Sequence, residues 1–341
     1  MGGSIGSMGA VEDRILGMLY GCAIGDSFGM PSEMWTPSRI RERFGAVDSF
    51  VDSPVENEIS GGFKAGETTD DTIVAFISAE ALIRTSGNIN PLDIVHSIEQ
   101  WSIDNPKSKT IVGPSTRLAF DAIHAGVPVE DAGRQGETNG AGTRVAPVGV
   151  IVNSSDTEKL CRKVQNVCMA THNTSAALSG ACAIAAAVAH GIEGGCLEDM
   201  VQVVLGAAEY GSHLGREIPA PLVSERIKYS LNLSGSIKDD IEFMKRQYEL
   251  IGSGLPMIQA APTAIAIAYR CGGDLMRACR LAANMGGDTD TVAAMAGMVV
   301  GAHVGASRID CYAKELVSSV NGHPFETVAH GLFELRRSLI G

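Results

Sequence analysis

Gly286-Gly287-Asp288-Thr289-Asp290-Thr291 runs directly into Val292-Ala293-Ala294-Met295-Ala296-Gly297-Met298-Val299-Val300-Gly301-Ala302-His303-Val304. A glycine pair and a short cluster of acids and hydroxyls precede an unbroken run of small aliphatic residues. The pattern reads as a helix over Thr291–Val304. Asp and Thr suit its N-cap, and acids in the first turn suit the macrodipole. Small side chains let helix axes approach closely, which many helices packed together require.

The same signature recurs along the chain. Thr69 and Asp70 stand before Asp71–Ser86, whose Ile73, Val74, Ile77, Ala81 and Leu82 form a helical stripe. Helices are also expected over Glu12–Ile24 (ending at Gly25), Pro91–Trp101, Ser115–Ala125, Thr157–Ala170, Ser175–His190, Leu197–Tyr210, Lys238–Tyr248, Ala261–Arg270, Asp274–Met285 and Phe325–Leu339. Gly126–Pro147 reads as a long glycine-rich loop, and only short runs such as Val148–Val152 suggest a strand. No Ser/Pro/Gly linker divides the chain and no repeat of 20–50 residues is present. The expectation is one all-α domain over residues 11–341. Residues 1–10 read as an added or disordered leader before a native start near Met8.

Composition agrees. Of 341 residues, 45% are hydrophobic, 19% charged and only 5% aromatic, so a large core must be built from small aliphatics. The 40 glycines suit close helix contacts and glycine-rich junctions rather than a β-sandwich. With 27 basic and 39 acidic residues the formal charge is −12, which argues against nucleic acid as the main partner and favours cation binding where carboxylates converge. The longest apolar stretches, Ala176–Ala189 and Val292–Ala306, fall short of the roughly 18–20 residues that cross a bilayer, so no membrane partner is expected. The start lacks the basic region of a signal peptide. The eight cysteines contain no C-x-x-C pair and read as reduced core residues of a cytoplasmic protein.

Glu67-Thr68-Thr69-Asp70-Asp71-Thr72 and Gly286–Thr291 are the two places where chemistry concentrates. Capping explains one acid at a helix start. It does not call for adjacent acids flanked by threonines, which repel unless a cation neutralises them. Hard divalent cations take carboxylate, hydroxyl and carbonyl oxygens. No Cys or His accompanies either cluster, so zinc is disfavoured, and the spacing is not that of an EF-hand. A third segment, Gly21–Glu33, places Asp26 and Glu33 in what reads as a loop after the first helix, with Asp26 partly buried.

Gly25-Asp26-x-x-Gly29, Thr69-Asp70-Asp71-Thr72, Thr171-His172 and Gly287-Asp288-Thr289-Asp290-Thr291, in that order, resemble the ADP-ribosylglycohydrolase family, which includes the dinitrogenase-reductase-activating glycohydrolases. The resemblance spans about residues 11–306. It implies a compact all-α fold and a binuclear Mg²⁺ (or Mn²⁺) centre. Thr69, Asp70 and Asp71 would bind from one side, and Asp288, Asp290 and Thr291 from the other. It implies a substrate loop containing Asn139, Gly140, Ala141 and Gly142, although Thr143 stands where members often carry Met before the arginine. Gly113 and Ser115 would lie at an anion-binding helix start, and His172 near the distal part of the substrate.

The implied reaction is cleavage of a glycosidic bond at the ribose anomeric carbon, with Glu33, Asp70 and Asp288 as candidate acid–base groups. The implied substrate is an ADP-ribosylated protein or an ADP-ribose-containing small molecule. Lys64, Lys109 or Arg144 would then have to offset the anionic diphosphate against the chain's own charge. Two alternatives stay open: a hydrolase of uncharged nucleosides, and a non-catalytic binder on the same fold.

Overall fold

The computed structural model describes residues 5–340. Among them every regular element is a helix, with isolated β-bridges (Trp35 to Gly287, Thr138 to Pro256, Thr174 to Arg216) and no strand. The first helix, Ile5–Gly29, packs antiparallel along Thr289–Val304 over most of its length. Glycine makes this pairing possible. A Cβ at Gly17 would stand 2.4 Å from the Gly301 carbonyl oxygen, at Gly21 2.1 Å from that of Gly297, at Gly25 2.1 Å from that of Ala293, and at Gly29 2.3 Å from that of Thr289. A four-residue spacing keeps these positions on one helix face, so the two backbones touch directly.

This contact corrects the expected end of the first helix. Gly25 does not terminate it, and the helix continues to Gly29 because both glycines seat on the partner. Asp26 is therefore helical rather than in a loop, and Glu33 closes the short 3₁₀ turn Met30–Ser32. The helix also begins at Ile5 rather than Glu12, so residues 5–10 belong to it, while residues 1–4 lie outside the described residues.

Ser175–Ile192 forms the buried centre, enclosed by Leu197–Ser212, Ala146–Ile151, Met257–Cys271 and Thr289–Val304. Its 18 residues are long and apolar enough to cross a membrane, yet 94% of that span is covered by the rest of the fold. Val148–Val152 is not a strand: Ala146–Ile151 is helical and only Val152 is extended. The expected loop Gly126–Pro147 contains two helical turns, Val129–Ala132 and Gly140–Arg144. Besides the single turn Ser108–Ile111, three helices escape the sequence pattern, Pro37–Phe44, Val223–Ser236 and Cys311–Asn321, and the first of these three is the shortest. The first buries Ile40 alone, so it has no apolar stripe to read.

The helix containing Ala261–Arg270 starts earlier, at Met257, and carries Pro262 inside it. Proline leaves the carbonyl four residues back without its usual donor. Here the Arg226 guanidinium donates to that Ile258 oxygen at 3.1 Å. Of the eight cysteines, six are buried free thiols, while Cys196 and Cys311 are exposed at helix starts rather than in the core.

Candidate metal and catalytic site

The site forms where the glycine-paired helices end. Asp26, fully buried in the last turn of the first helix, accepts hydrogen bonds from the Thr69 amide at 3.0 Å, the Thr72 amide at 3.1 Å and the Thr72 hydroxyl at 2.5 Å. It thus satisfies amides at the N-terminus of the Asp70–Arg84 helix, where negative charge is favoured. Burial still pushes its carboxyl up to about 6, against the downward pull of these hydrogen bonds.

The two acidic clusters meet directly. Thr291 Oγ1 donates to Asp71 Oδ2 at 2.7 Å, across 220 residues of chain. Asp288 is the N-cap of Thr289–Val304, and its Oδ2 accepts from Asn139 Nδ2 at 2.6 Å. The Asp288 amide donates to the Ser253 carbonyl at 2.7 Å, and a Cβ on the preceding Gly287 would stand 2.5 Å from that same oxygen. Gly287 also exchanges backbone bonds with the residues after Glu33: the Met34 amide donates to the Gly287 carbonyl at 2.7 Å, and the Gly287 amide to the Trp35 carbonyl at 2.8 Å. Met34 adopts φ 59°, a left-handed conformation that is rare for a residue with a side chain. The turn brings Glu33 to the cluster: one carboxylate oxygen each from Glu33, Asp288 and Asp290 lie within 4.8 Å of one another.

Such packing is electrostatically unfavourable for the protein alone. Burial, reinforced by neighbouring carboxylates, pushes Glu33, Asp71 and Asp290 well above the usual carboxylate range. Asp70 is raised to about 7 by burial and the charges of Asp26 and Asp288. Burial also raises Asp288, with the Asn139 hydrogen bond among the opposing contributions. Two buried acceptors, Glu33 Oε2 and Asp290 Oδ1, have no hydrogen-bond partner. A hard divalent cation fits this donor set: its ligands are carboxylate and hydroxyl oxygens, and it relieves the repulsion and gives Asp290 Oδ1 a partner.

The cleft beside the acids is lined by Val74, Ile111, Gly113, Thr116, Thr138, Asn139, Gly140, Arg144, His172 and Leu255. Of the expected substrate residues, Asn139, Gly140, Gly113 and His172 reach this surface. Ala141 and Gly142 do not line it. Ala141 is packed in the core, a Cβ on Gly142 would meet Met295, and the Gly142 amide is taken by the Asn139 carbonyl at 2.7 Å. Ser115 is buried beside the lining and accepts a 2.9 Å hydrogen bond from Thr138. Of the three basic residues weighed for the diphosphate, only Arg144 lines the cleft, since Lys64 is an exposed partner of Asp52 and Lys109 is not among the lining residues. Thr116 and Thr138, which belong to the helix-start and substrate-loop motifs read from the sequence, also line the cleft, whereas Ile111 and Leu255 lay outside the residues expected from sequence, where nothing marks them apart from ordinary apolar positions. A separate, more open groove lined by Ser175, His213 and Glu217 gathers no convergent carboxylates.

Residues 7–339 match the family model described as ADP-ribosylglycohydrolase. The chain belongs to the ADP-ribosylglycohydrolase family. It is 33% identical over 326 residues to the uncharacterized protein YegU of Escherichia coli (strain K12), covering 95% of this chain and 98% of that one. It is 25% identical to the ADP-ribosylhydrolase ARH3 of Mus musculus over 87% of this chain and 85% of that protein. Among solved structures, an ADP-ribosylglycohydrolase-related protein complex matches at TM-score 0.66 and 23% identity, covering 97% of this chain and all of the other. The family supports a glycohydrolase, and the all-α architecture agrees with its fold.

Proposed function

We propose that this ADP-ribosylglycohydrolase-family protein is a magnesium-dependent hydrolase that cleaves the bond between the ribose anomeric carbon and a protein side chain or small acceptor, releasing ADP-ribose. The observation that carries the reading is the convergence of Asp70–Asp71 and Asp288–Thr291 around two buried, partnerless carboxylate oxygens. Thr69, Asp70, Asp71, Asp288, Asp290 and Thr291 would hold two Mg²⁺ ions (or Mn²⁺), which supply positive charge for the carboxylates and for ribose hydroxyl oxygens.

The chain's own groups then divide the work. Glu33 presents a buried carboxyl with one oxygen free, suited to taking the proton of the attacking water. A carbon–oxygen bond forms at the anomeric carbon as the bond to the acceptor breaks, through an oxocarbenium-like transition state, and the proton passes to the departing acceptor. Asp288 is restrained by Asn139 and Asp71 by Thr291, so both are better placed to hold than to shuttle. Asn139, Gly140, Gly113 and His172 line the space for the remainder of the substrate.

Arg144 favours an ADP-ribosyl substrate over an uncharged nucleoside. It is a buried guanidinium in the cleft wall, and among the described residues no carboxylate pairs with it at ion-pair distance. The test assays an ADP-ribosylated peptide against a nucleoside panel. Release of free ADP-ribose that is abolished by chelation and by Asp288→Ala supports the proposal. Hydrolysis of nucleosides alone transfers the chemistry to neutral substrates, and no turnover of either leaves a binding protein.

A further inference from the structure

Five side chains beside the cleft form one continuous row. Arg144 Nη1 donates to Thr171 Oγ1 at 2.7 Å, Thr171 Oγ1 lies 2.8 Å from His172 Nδ1, His172 Nε2 lies 2.9 Å from Thr138 Oγ1, and Thr138 Oγ1 donates to Ser115 Oγ at 2.9 Å. Counting protons fixes the direction. A threonine hydroxyl has one proton. Thr138 gives its proton to Ser115, so towards His172 it can only accept, and Nε2 must carry the imidazole proton. A neutral imidazole has only that one, so Nδ1 accepts, and its donor is the Thr171 hydroxyl. Thr171 has its lone pairs free for Arg144, which also donates from Nε to the Gly140 carbonyl at 2.8 Å. Burial, with the adjacent guanidinium, holds His172 well below its ordinary pKa and so in the neutral form.

We infer that Thr171 is a positioning residue: oriented by the Arg144 guanidinium, its hydroxyl donates to Nδ1 and, together with the accepting Thr138 hydroxyl at Nε2, holds His172 as the Nε2–H tautomer. The row ends at the Ser115 hydroxyl proton, for which the described residues provide no acceptor. It sits in the first turn of Pro114–His124, a helix whose Gly113 and Thr116 face the cleft. The end of the row is thus a donor without a partner, buried directly beside the cleft lining at Thr116, where an acceptor oxygen of a ligand would have to reach it. That last step rests on the proposed hydrolase reading, whereas the tautomer does not.

The experiment is ¹⁵N-histidine NMR of the full chain, with the His172 signals assigned by their loss in His172→Asn. The expected pattern is a protonated Nε2 and an unprotonated Nδ1. Thr171→Val, which keeps the shape but removes the donor, should mix the tautomers, and Thr171→Ser should restore the single one. A wild-type His172 protonated at Nδ1 overturns the inference, as does a Thr171→Val variant with unchanged shifts. Should Thr171→Val fail to fold, the wild-type pattern and Thr171→Ser decide the question. ADP-ribose affinity is measured in parallel and should fall about tenfold in Thr171→Val, the worth of about 1.4 kcal/mol. If wild-type protein binds no ADP-ribose while the tautomer pattern holds, the substrate reading has failed and the positioning role stands.

Discussion

Asn139 holds Asp288 by a 2.6 Å hydrogen bond from its side-chain amide. Groups that orient a ligand from behind typically change metal affinity by about 10–100-fold when removed. Asn139→Ala should therefore weaken Mg²⁺ binding by at least about tenfold while the helical circular dichroism stays unchanged. Calorimetric titration giving wild-type affinity would show that Asp288 is not held in this way. Asp26 makes a sharper case. Its two oxygens accept from two amides and a hydroxyl, and an asparagine would turn a donor towards some of them. Asp26→Asn should lower stability in urea by about 2–4 kcal/mol, the usual cost of breaking a buried charged network; a midpoint within error of wild type would refute the tie. The Asp26 motif is plain in the sequence, but its task is not. Nothing in Gly25-Asp26-Ser27 says that the carboxylate crosses to Thr69 and Thr72, because the residues that explain it lie more than forty positions on.

Glycine spacing decides how the elements meet. Gly17, Gly21, Gly25 and Gly29 recur every four residues, and Gly297 and Gly301 answer them from the second helix. Read alone, such glycines resemble breaks, which is why the first helix seemed to end at Gly25. Only the partner's backbone, 2.1 Å from the place a Cβ would take, reveals a contact surface. Gly21→Ala forces two backbones apart and should cost about 3 kcal/mol or more, within the range for overpacked cores. Because the same pair carries Asp26 and Asp288 to the site, Mg²⁺ affinity should fall with it. Gly206→Ala is the contrasting case. Gly206 is exposed within Leu197–Ser212 and an added Cβ meets nothing within 4 Å. It should stabilise the protein by about 0.5–1 kcal/mol through helix propensity. Denaturant midpoints that move in the same direction for both variants would contradict the packing argument. Helices with an apolar stripe were legible from periodicity, whereas Pro37–Phe44, with Ile40 as its one buried residue, exists because of where it packs and carries too little pattern to read.

At the scale of the molecule, a chain with a net charge of −12 buries five of its carboxylates, Asp26, Glu33, Asp71, Asp288 and Asp290, in one place. Residue types and order suggested a cation site. That the Thr291 hydroxyl donates to Asp71 at 2.7 Å across 220 residues is a property of the folded chain, which local spacing cannot contain. The consequence is a stability that depends on protons and cations together. In the metal-free protein Asp26 titrates near 6 and Asp70 near 7, against about 3.9 for an unfolded aspartate. Between about pH 4 and pH 7 the folded state therefore binds more protons than the unfolded state. Linkage then makes stability fall as pH rises through that window. Metal ligation requires the ionised carboxylates, so protons compete with the ion. Saturating Mg²⁺ should raise the melting temperature by several degrees at pH 8, equivalent to about 2.7 kcal/mol at a hundredfold excess over Kd, and by much less at pH 5. Thermal unfolding at both pH values, with Mg²⁺ and with chelator, makes the comparison. An equal increase at pH 5 and pH 8 would place the ion away from these carboxylates, because only groups still protonated at pH 5 can make its binding depend on pH in this range.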